Sequence, residues 1–509
     1  MEATYQKEQG GGILVSECHG EHHLPDYLGD MKKILSTAAH ILPAGKFIGG
    51  EEVQFGGAVC YDIWYLDAED RLTHEAFTTD YEFSCPRSSE TVDGAARVSI
   101  RQFTLRPSGP RRISAKATLQ AAVCLREVAR YACESDAGEA TLHTMQKTVE
   151  VGERIFSAPL EREYGESIAL PAAYANGAEI IFSEAHVHIE NVTAEDNAVL
   201  VRGNYAVAVI LAMDGHAPLR ICESFPMEER IPLEGCDAHM DGAASVFFVS
   251  LTCGIRDEAE APAVTVHGIV ELLADAQRNL PISVASDAFL EGGSCSCEME
   301  TLVYDTFGPM ETLCRTVDLR FPLSEDESAV DGVFHTTVTL KNETHEAAER
   351  EIAYTAEAEI CALCYALDAD GGVHYSAQKQ TVPLHLDLPL HAALLPDGKI
   401  CIDAEVGMCE GRFDENEICI GLNLLFSVSD RAERSEDCVR RIVRGEQESS
   451  IFVPTYAVYY PTAKDSLWTI AKRYATSPAA IAACNHLSAE TCGTHVPLPE
   501  MLLIDKRRK

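Results

Sequence analysis

The chain has 509 residues, 46% hydrophobic and 24% charged, a globular composition that excludes a mainly disordered chain, a collagen-like chain and a heptad rod. That length exceeds one ordinary core, so three or four domains are expected. With 41 basic against 80 acidic residues the net charge is −39, a field that repels phosphate backbones and anionic lipid surfaces and so excludes nucleic acid as a partner.

The first residues, MEATYQKEQGGGILVSECHGEHH, have no basic region followed by an apolar core and a small-residue cleavage site. No window reaches the roughly 18 apolar residues of a membrane span, so a cytoplasmic address is expected. The 19 cysteines fall at strand-like positions such as Cys60, Cys253, Cys361 and Cys419, where a reduced thiol acts as a small buried hydrophobe. Cys18, His19, His22 and His23 match no standard zinc spacing, and the segment reads as a solvated tail ahead of the first domain. Cys361 and Cys364 lie at i and i+3, on opposite faces of a strand, and cannot converge on one ion. Cys295 and Cys297 can share a face but have no partner motif. Neither a metal nor a cofactor is therefore expected. Residues 24–41, LPDYLGDMKKILSTAAHI, read as a short helical stretch.

Internal self-similarity organises the next 400 residues. The segments GGAVCYDIWYLDAED (56–70), GNYAVAVILAMDGHA (203–217) and AEICALCYALDADGG (358–372) each run as an apolar strand into an Asp-containing turn. Their aspartates, Asp67, Asp214 and Asp368, are 147 and 154 residues apart. A second strand follows each (HEAFTTDYEF, RICESFPMEERIPL, HYSAQKQTVPLHLDL), a third opens at Val98, Val246 and Ile400, and a fourth returns as ISAKATLQAAVCL, VTVHGIVELL and ICIGLNLLFSV. Turn signals such as RPSGP, RDEAEAP and EGRFDEN separate them, the pattern of antiparallel β-domains rather than βαβ units. The fold class is thus multidomain and mainly β: three tandem antiparallel β-sandwich-like repeats at 20–150, 151–300 and 301–437. Tyr205, Val207, Val209 and Leu211 alternate with the equally apolar Ala206, Ala208 and Ile210, which marks a central strand. Trp64, between Ile63 and Tyr65, is read as core. Acidic runs such as EDES (325–328) are read as solvated faces.

The stretch 438–454, CVRRIVRGEQESSIFVP, reads as a linker closing at Pro454. A last unit, 455–504, follows. Residues 455–509 carry seven Lys or Arg against four Asp or Glu, about +3 against about −42 for the rest. Tyr456, Val458 and Tyr460 alternate as a short strand. Asp465 stands at the expected N-cap of a helix whose stripe is Leu467, Ile470, Ala471 and Tyr474, and Ser477-Pro478 opens a second helix running to about Asn485. MLLI (501–504) closes a β-α-α-β unit. Its signals are self-contained, so residues 453–509 are expected to fold alone. Trp468 sits at the edge of the helix stripe, between core and contact.

The stretch YAVYYPTAKDSLWTIAKRYATSPAAIAACNHL resembles a LysM domain, a small module that binds N-acetylglucosamine glycans such as peptidoglycan and chitin. The resemblance implies a partner-binding groove in which Lys464, Asp465, Ser466, Leu467 and Trp468 face Asn485, His486 and Leu487. Lys464 stands where the family carries glycine, and PLPEM replaces the usual proline-glycine-glutamine turn, so weak binding of chitin oligomers and peptidoglycan is expected. The three β units, with IWYLDAED and ILAMDGHAPLRICESFPMEERIPL, resemble SPOCS domains of spore envelope proteins. SPOCS units followed by one terminal LysM resemble spore coat morphogenetic proteins of the SipL/SpoVID type. That resemblance implies a non-enzymatic scaffold in the mother-cell cytoplasm at the forespore surface, with a coat morphogenetic ATPase and other coat proteins as partners. The alternative is a peptidoglycan-binding protein of cortex or wall. No GxSxG, HExxH, GxxxxGK[ST] or GxGxxG motif supports an enzyme.

Overall fold

The structure, a computed structural model, describes residues 1–42, 45–88, 90–136, 138, 141–174, 177–213, 215–256, 262–323, 330–369, 372–445, 456–487 and 498–505. Asp214, positions 257–261 of the RDEAEAP turn, the EDES run and positions 506–509 of the basic tail lie outside the described residues. The protein is mainly β, 77% strand and 4% helix, and among the described residues the two α-helices lie in the C-terminal unit.

Three pairs of sheets share one path of three antiparallel strands each. In the first pair, Glu2–His23, Arg112–Ala132 and Thr91–Gly109 form one sheet, and Met31–Ile41, Glu52–Asp67 and Leu72–Pro86 form the other. The second pair is Leu160–Ala169, Ala263–Leu290 and Asp241–Arg256 with Glu179–Glu195, Ala198–Ala212 and Leu219–Pro232. Cys295–Pro322, Glu417–Arg444 and Lys399–Asp414, with Gly332–Ala348, Glu351–Leu367 and Val373–Pro389, make the third. Each pair encloses its own apolar core. In the second, Tyr205, Val207, Val209 and Leu211 meet Val264, Val266, Val270 and Leu272 from the other sheet. Ala208 and Ile210 on the opposite face are also buried, as the doubly apolar sequence requires of a middle strand.

The aspartates that end these middle strands organise the following turns. Asp67 accepts hydrogen bonds from the Glu69 and Arg71 amides at 3.0 and 2.8 Å, and Asp368 accepts from the Gly372 amide at 2.6 Å.

Three local readings are corrected. Residues 2–23 are a full strand, paired from Glu2 opposite Ala132 to His23 opposite Arg112. Cys18 is buried in the core there, and His22 stacks on Phe77 at 4.5 Å while bonding Glu75 at 2.8 Å. The partner strand lies some hundred residues onward, which local patterning does not reveal. Met31–Ile41 is a strand rather than a helix, held by pairing with Val59–Asp67, and tertiary pairing overrides the modest helix propensity of its Met, Lys and Leu residues. The strand Glu417–Arg444 also runs through the start of the expected linker, and Cys438, Val439 and Ile442 are buried. Cys361 and Cys364 do diverge, with Cys364 in the third core and Cys361 facing Ser36 of the first unit.

The units interlock. One apolar cluster joins Leu35, Trp64, Leu66 and Leu72 of the first pair to Ile210 and Phe182 of the second and Phe334 and Leu363 of the third. Trp64 is its centre, with ring centroids 5.2 Å from Phe182, 5.9 Å from Phe334 and 5.2 Å from His335. A second contact joins extensions of the long strands. The Tyr131 hydroxyl donates to the Val439 carbonyl at 2.8 Å and accepts from the Ala285 amide at 2.9 Å, tying all three units through one side chain.

Candidate functional site

In the C-terminal unit, Tyr456–Tyr459 pairs antiparallel with Leu502–Asp505, and two helices, α1 (Leu467–Tyr474) and α2 (Pro478–Cys484), lie between them in sequence. Leu467, Ile470 and Ala471 from α1, Ile481 and Ala482 from α2, and Leu502 and Ile504 from the strand form its core. The N-cap of α1 is Ser466, not Asp465. The Ser466 hydroxyl accepts from the Thr469 amide at 3.2 Å, and the Thr469 hydroxyl accepts from the Ser466 amide at 2.9 Å. Asp465 lies one residue too early to cap. Its Oδ2 instead accepts from the Thr462 amide and hydroxyl at 2.8 Å and from the Tyr459 hydroxyl at 2.9 Å, fixing the strand-to-helix loop. The Thr462 amide, foremost among these donors, holds the Asp465 carboxyl below the usual range. Ser477 caps α2 by accepting from the Ala480 amide at 3.0 Å, with Pro478 at the first helical position as expected.

The residues of the expected groove divide by role. Lys464 and His486 are exposed on the two loops. Leu467 is 1% exposed and belongs to the core. Asn485 stitches α2 to the closing strand: its Nδ2 donates to the Leu503 carbonyl at 2.7 Å and its Oδ1 accepts from the Leu503 amide at 2.7 Å. Ser466 is committed to its cap, and Leu487 is half-buried against the core. Residues 488–497, which include most of the second loop, lie outside the described residues.

Trp468 packs against the β body. Its ring meets Phe289 edge-on at 4.9 Å, and its Nε1 donates to Asp287 Oδ2 at 2.8 Å. Lys472 bonds the other oxygen of Asp287, and the Gly292 amide donates to the Ala475 carbonyl at 2.8 Å. The protein-contact reading of Trp468 thus finds a partner inside the chain. Asp287 and Phe289, some 180 residues distant in sequence, carried no signal that could have found them.

The LysM domain family matches residues 462–491. The C-terminal unit is a LysM domain. No curated protein and no solved structure matches the chain. The LysM domain is therefore held to the body by the Trp468 and Lys472 edge, while Lys464 and His486 remain exposed.

Replacing Asp287 by Ala is expected to release the LysM domain while leaving both folds intact. The Trp468 N–H and the Lys472 ammonium lose a shared acceptor, and hydrogen bonds to charged groups contribute about 1.5–3 kcal/mol each at most. A red shift of tryptophan emission and faster proteolysis between body and LysM check this. The contact is also acid-sensitive. Burial works against ionisation of Asp287, but hydrogen bonds from Lys472 and Trp468 outweigh it and lower its pKa. A lowered carboxylate pKa gives stability that is full above the unfolded value, near about 4, and is lost as pH falls through the folded one.

Proposed function

We propose that this protein is a non-enzymatic binding scaffold in which a large acidic β body carries a LysM domain as its recognition end. The observation that carries the reading is the way the LysM domain is mounted. Its tryptophan edge is committed to the body, and the loop pair bearing Lys464 and His486 is exposed. LysM membership supports an N-acetylglucosamine glycan, peptidoglycan foremost, as the ligand class. The finer reading is a scaffold of spore coat assembly at the forespore surface in the mother cell, its body built of SPOCS-like sandwich repeats and its LysM domain binding the coat morphogenetic ATPase. Lys464, exposed where the family carries glycine, and a LysM region near +3 on a body near −42 support a protein ligand that reads charge.

Sedimentation of the purified full chain with insoluble peptidoglycan at physiological salt tests the ligand class. Retention that Lys464→Glu with His486→Ala removes, with the cooperative melt kept, supports glycan binding on the loop pair. An exposed polar position such as Lys464 shifts stability by only about 0.5 kcal/mol, and His486, in the left-handed region at φ 56°, adds a modest strain cost when cut back to Ala. Without retention, co-purification of the coat ATPase from sporulating cells by the native chain and not by the double variant supports the scaffold reading. Recovery undiminished in the double variant moves the contact surface to the β body.

A further inference from the structure

Three donors of three kinds converge on the outer face of the first unit's second sheet. His40 and Cys60 are directly paired across the Met31–Ile41 and Glu52–Asp67 strands, and Asp62 follows Cys60 by two residues, on the same face. One ligand atom from each, an imidazole nitrogen, a thiol sulfur and a carboxylate oxygen, lies within 4.8 Å of the other two. His40 Nδ1 and Asp62 Oδ2 are 3.4 Å apart. Two N or O ligands each about 2.0–2.1 Å from a tetrahedral ion stand about 3.3–3.4 Å apart, so this pair is already spaced as a tetrahedral edge.

We propose that His40, Cys60 and Asp62 form a binding site for a borderline-soft divalent cation, Zn²⁺, that clips the Met31–Ile41 strand to its neighbour. The donor chemistry selects the ion, because a thiolate beside an imidazole suits zinc and disfavours calcium or magnesium, which take oxygen ligands. An outer partner is also in place. His74, on the Leu72–Pro86 strand, holds the other Asp62 oxygen, with Nε2 to Oδ1 at 3.0 Å, and so orients the carboxylate toward His40 and Cys60. An entry path exists as well, since the His40 side chain is 56% exposed. Motif spacing could not show this site. The donors come from two strands 20 residues apart, with none of the short Cys or His intervals by which zinc sites are read from sequence.

The test uses the full-length chain, reduced and stripped of metal, with Co²⁺ as a spectroscopic probe and Zn²⁺ as competitor. One Co²⁺ per chain is expected, with tetrahedral ligand-field bands and a thiolate-to-metal charge-transfer band, all discharged by Zn²⁺. Cys60→Ser is expected to remove the charge-transfer band although 18 other cysteines remain. His40→Ala and Asp62→Asn are expected to lower affinity at least tenfold, and His74→Ala by about 10–100-fold through loss of carboxylate orientation. His40→Ala is the variant least able to disturb folding, because its side chain is largely in solvent, and it decides the matter if Cys60→Ser does not fold. Absence of the bands in the native chain, or native affinity and spectrum in His40→Ala, overturns the proposal.

Discussion

Trp64→Ala is expected to destabilise the body by about 3–5 kcal/mol, the usual cost of truncating a fully buried aromatic side chain. Trp64 is 2% exposed and sits where the three units meet, against Phe182 and Phe334 as well as its own sheet. The cavity would therefore open between units, where no single sheet pair can collapse to fill it. Thermal unfolding of the native body should follow one cooperative transition, because Trp64 and Tyr131 link all three cores. In the variant, calorimetry should show a lower midpoint and separation into more than one transition as coupling weakens. A variant melting at the native midpoint would show that the junction contributes little.

Acid should weaken the same junction from about pH 6.5 downward. His335 is 3% exposed, its ring tilted against Trp64 and edge-on to Phe182, and its Nδ1 has no hydrogen-bond partner among the described residues. Burial pushes its pKa down to about 4, although the nearby Glu184 carboxylate works the other way. The unfolded chain therefore binds the proton more readily than the folded one, and stability falls as pH drops from the unfolded value of about 6.5 through 4. Taken alone that difference amounts to about 3 kcal/mol.

Glu184 adds to the loss at lower pH. Burial opposes its ionisation, but the His186 hydrogen bond and the charges of His335 and Arg220 outweigh it and bring its pKa down to about 2. Its contribution is full above the unfolded value near about 4.3 and disappears as pH falls toward 2. His335→Phe keeps an aromatic ring against Trp64 and removes the titrating group. Denaturant melts across pH 4–7 should therefore lose stability toward acid less steeply in the variant than in the native chain. Equal slopes would remove His335 from the account.

Where pattern and partner were both local, the residues were legible without coordinates. The middle strands could be read because both faces of Tyr205–Leu211 are apolar, and the LysM domain because its caps, its helix stripe and its Ser477-Pro478 start lie within 50 residues of one another. Even there the cap fell on Ser466 rather than Asp465, since which of two adjacent polar side chains reaches a free amide depends on where the preceding strand ends.

The sequence by itself therefore determined the β character of the body, the turn-forming role of Asp67 and Asp368, and the LysM domain, because strand alternation and helix capping are interactions among near neighbours. Tertiary structure alone decided the rest. Residues 2–23 became a strand only because Arg112–Ala132 offers an edge, and Met31–Ile41 because the Glu52–Asp67 strand does. Trp64 became the keystone of three units, and Trp468 found Asp287 and Phe289, through contacts spanning more than 100 residues. Cys60, read as a small hydrophobe, was set beside His40 and Asp62 by strand register. A one-residue slip in that register would turn the donors to opposite faces, and register is a property of paired strands that no single strand carries.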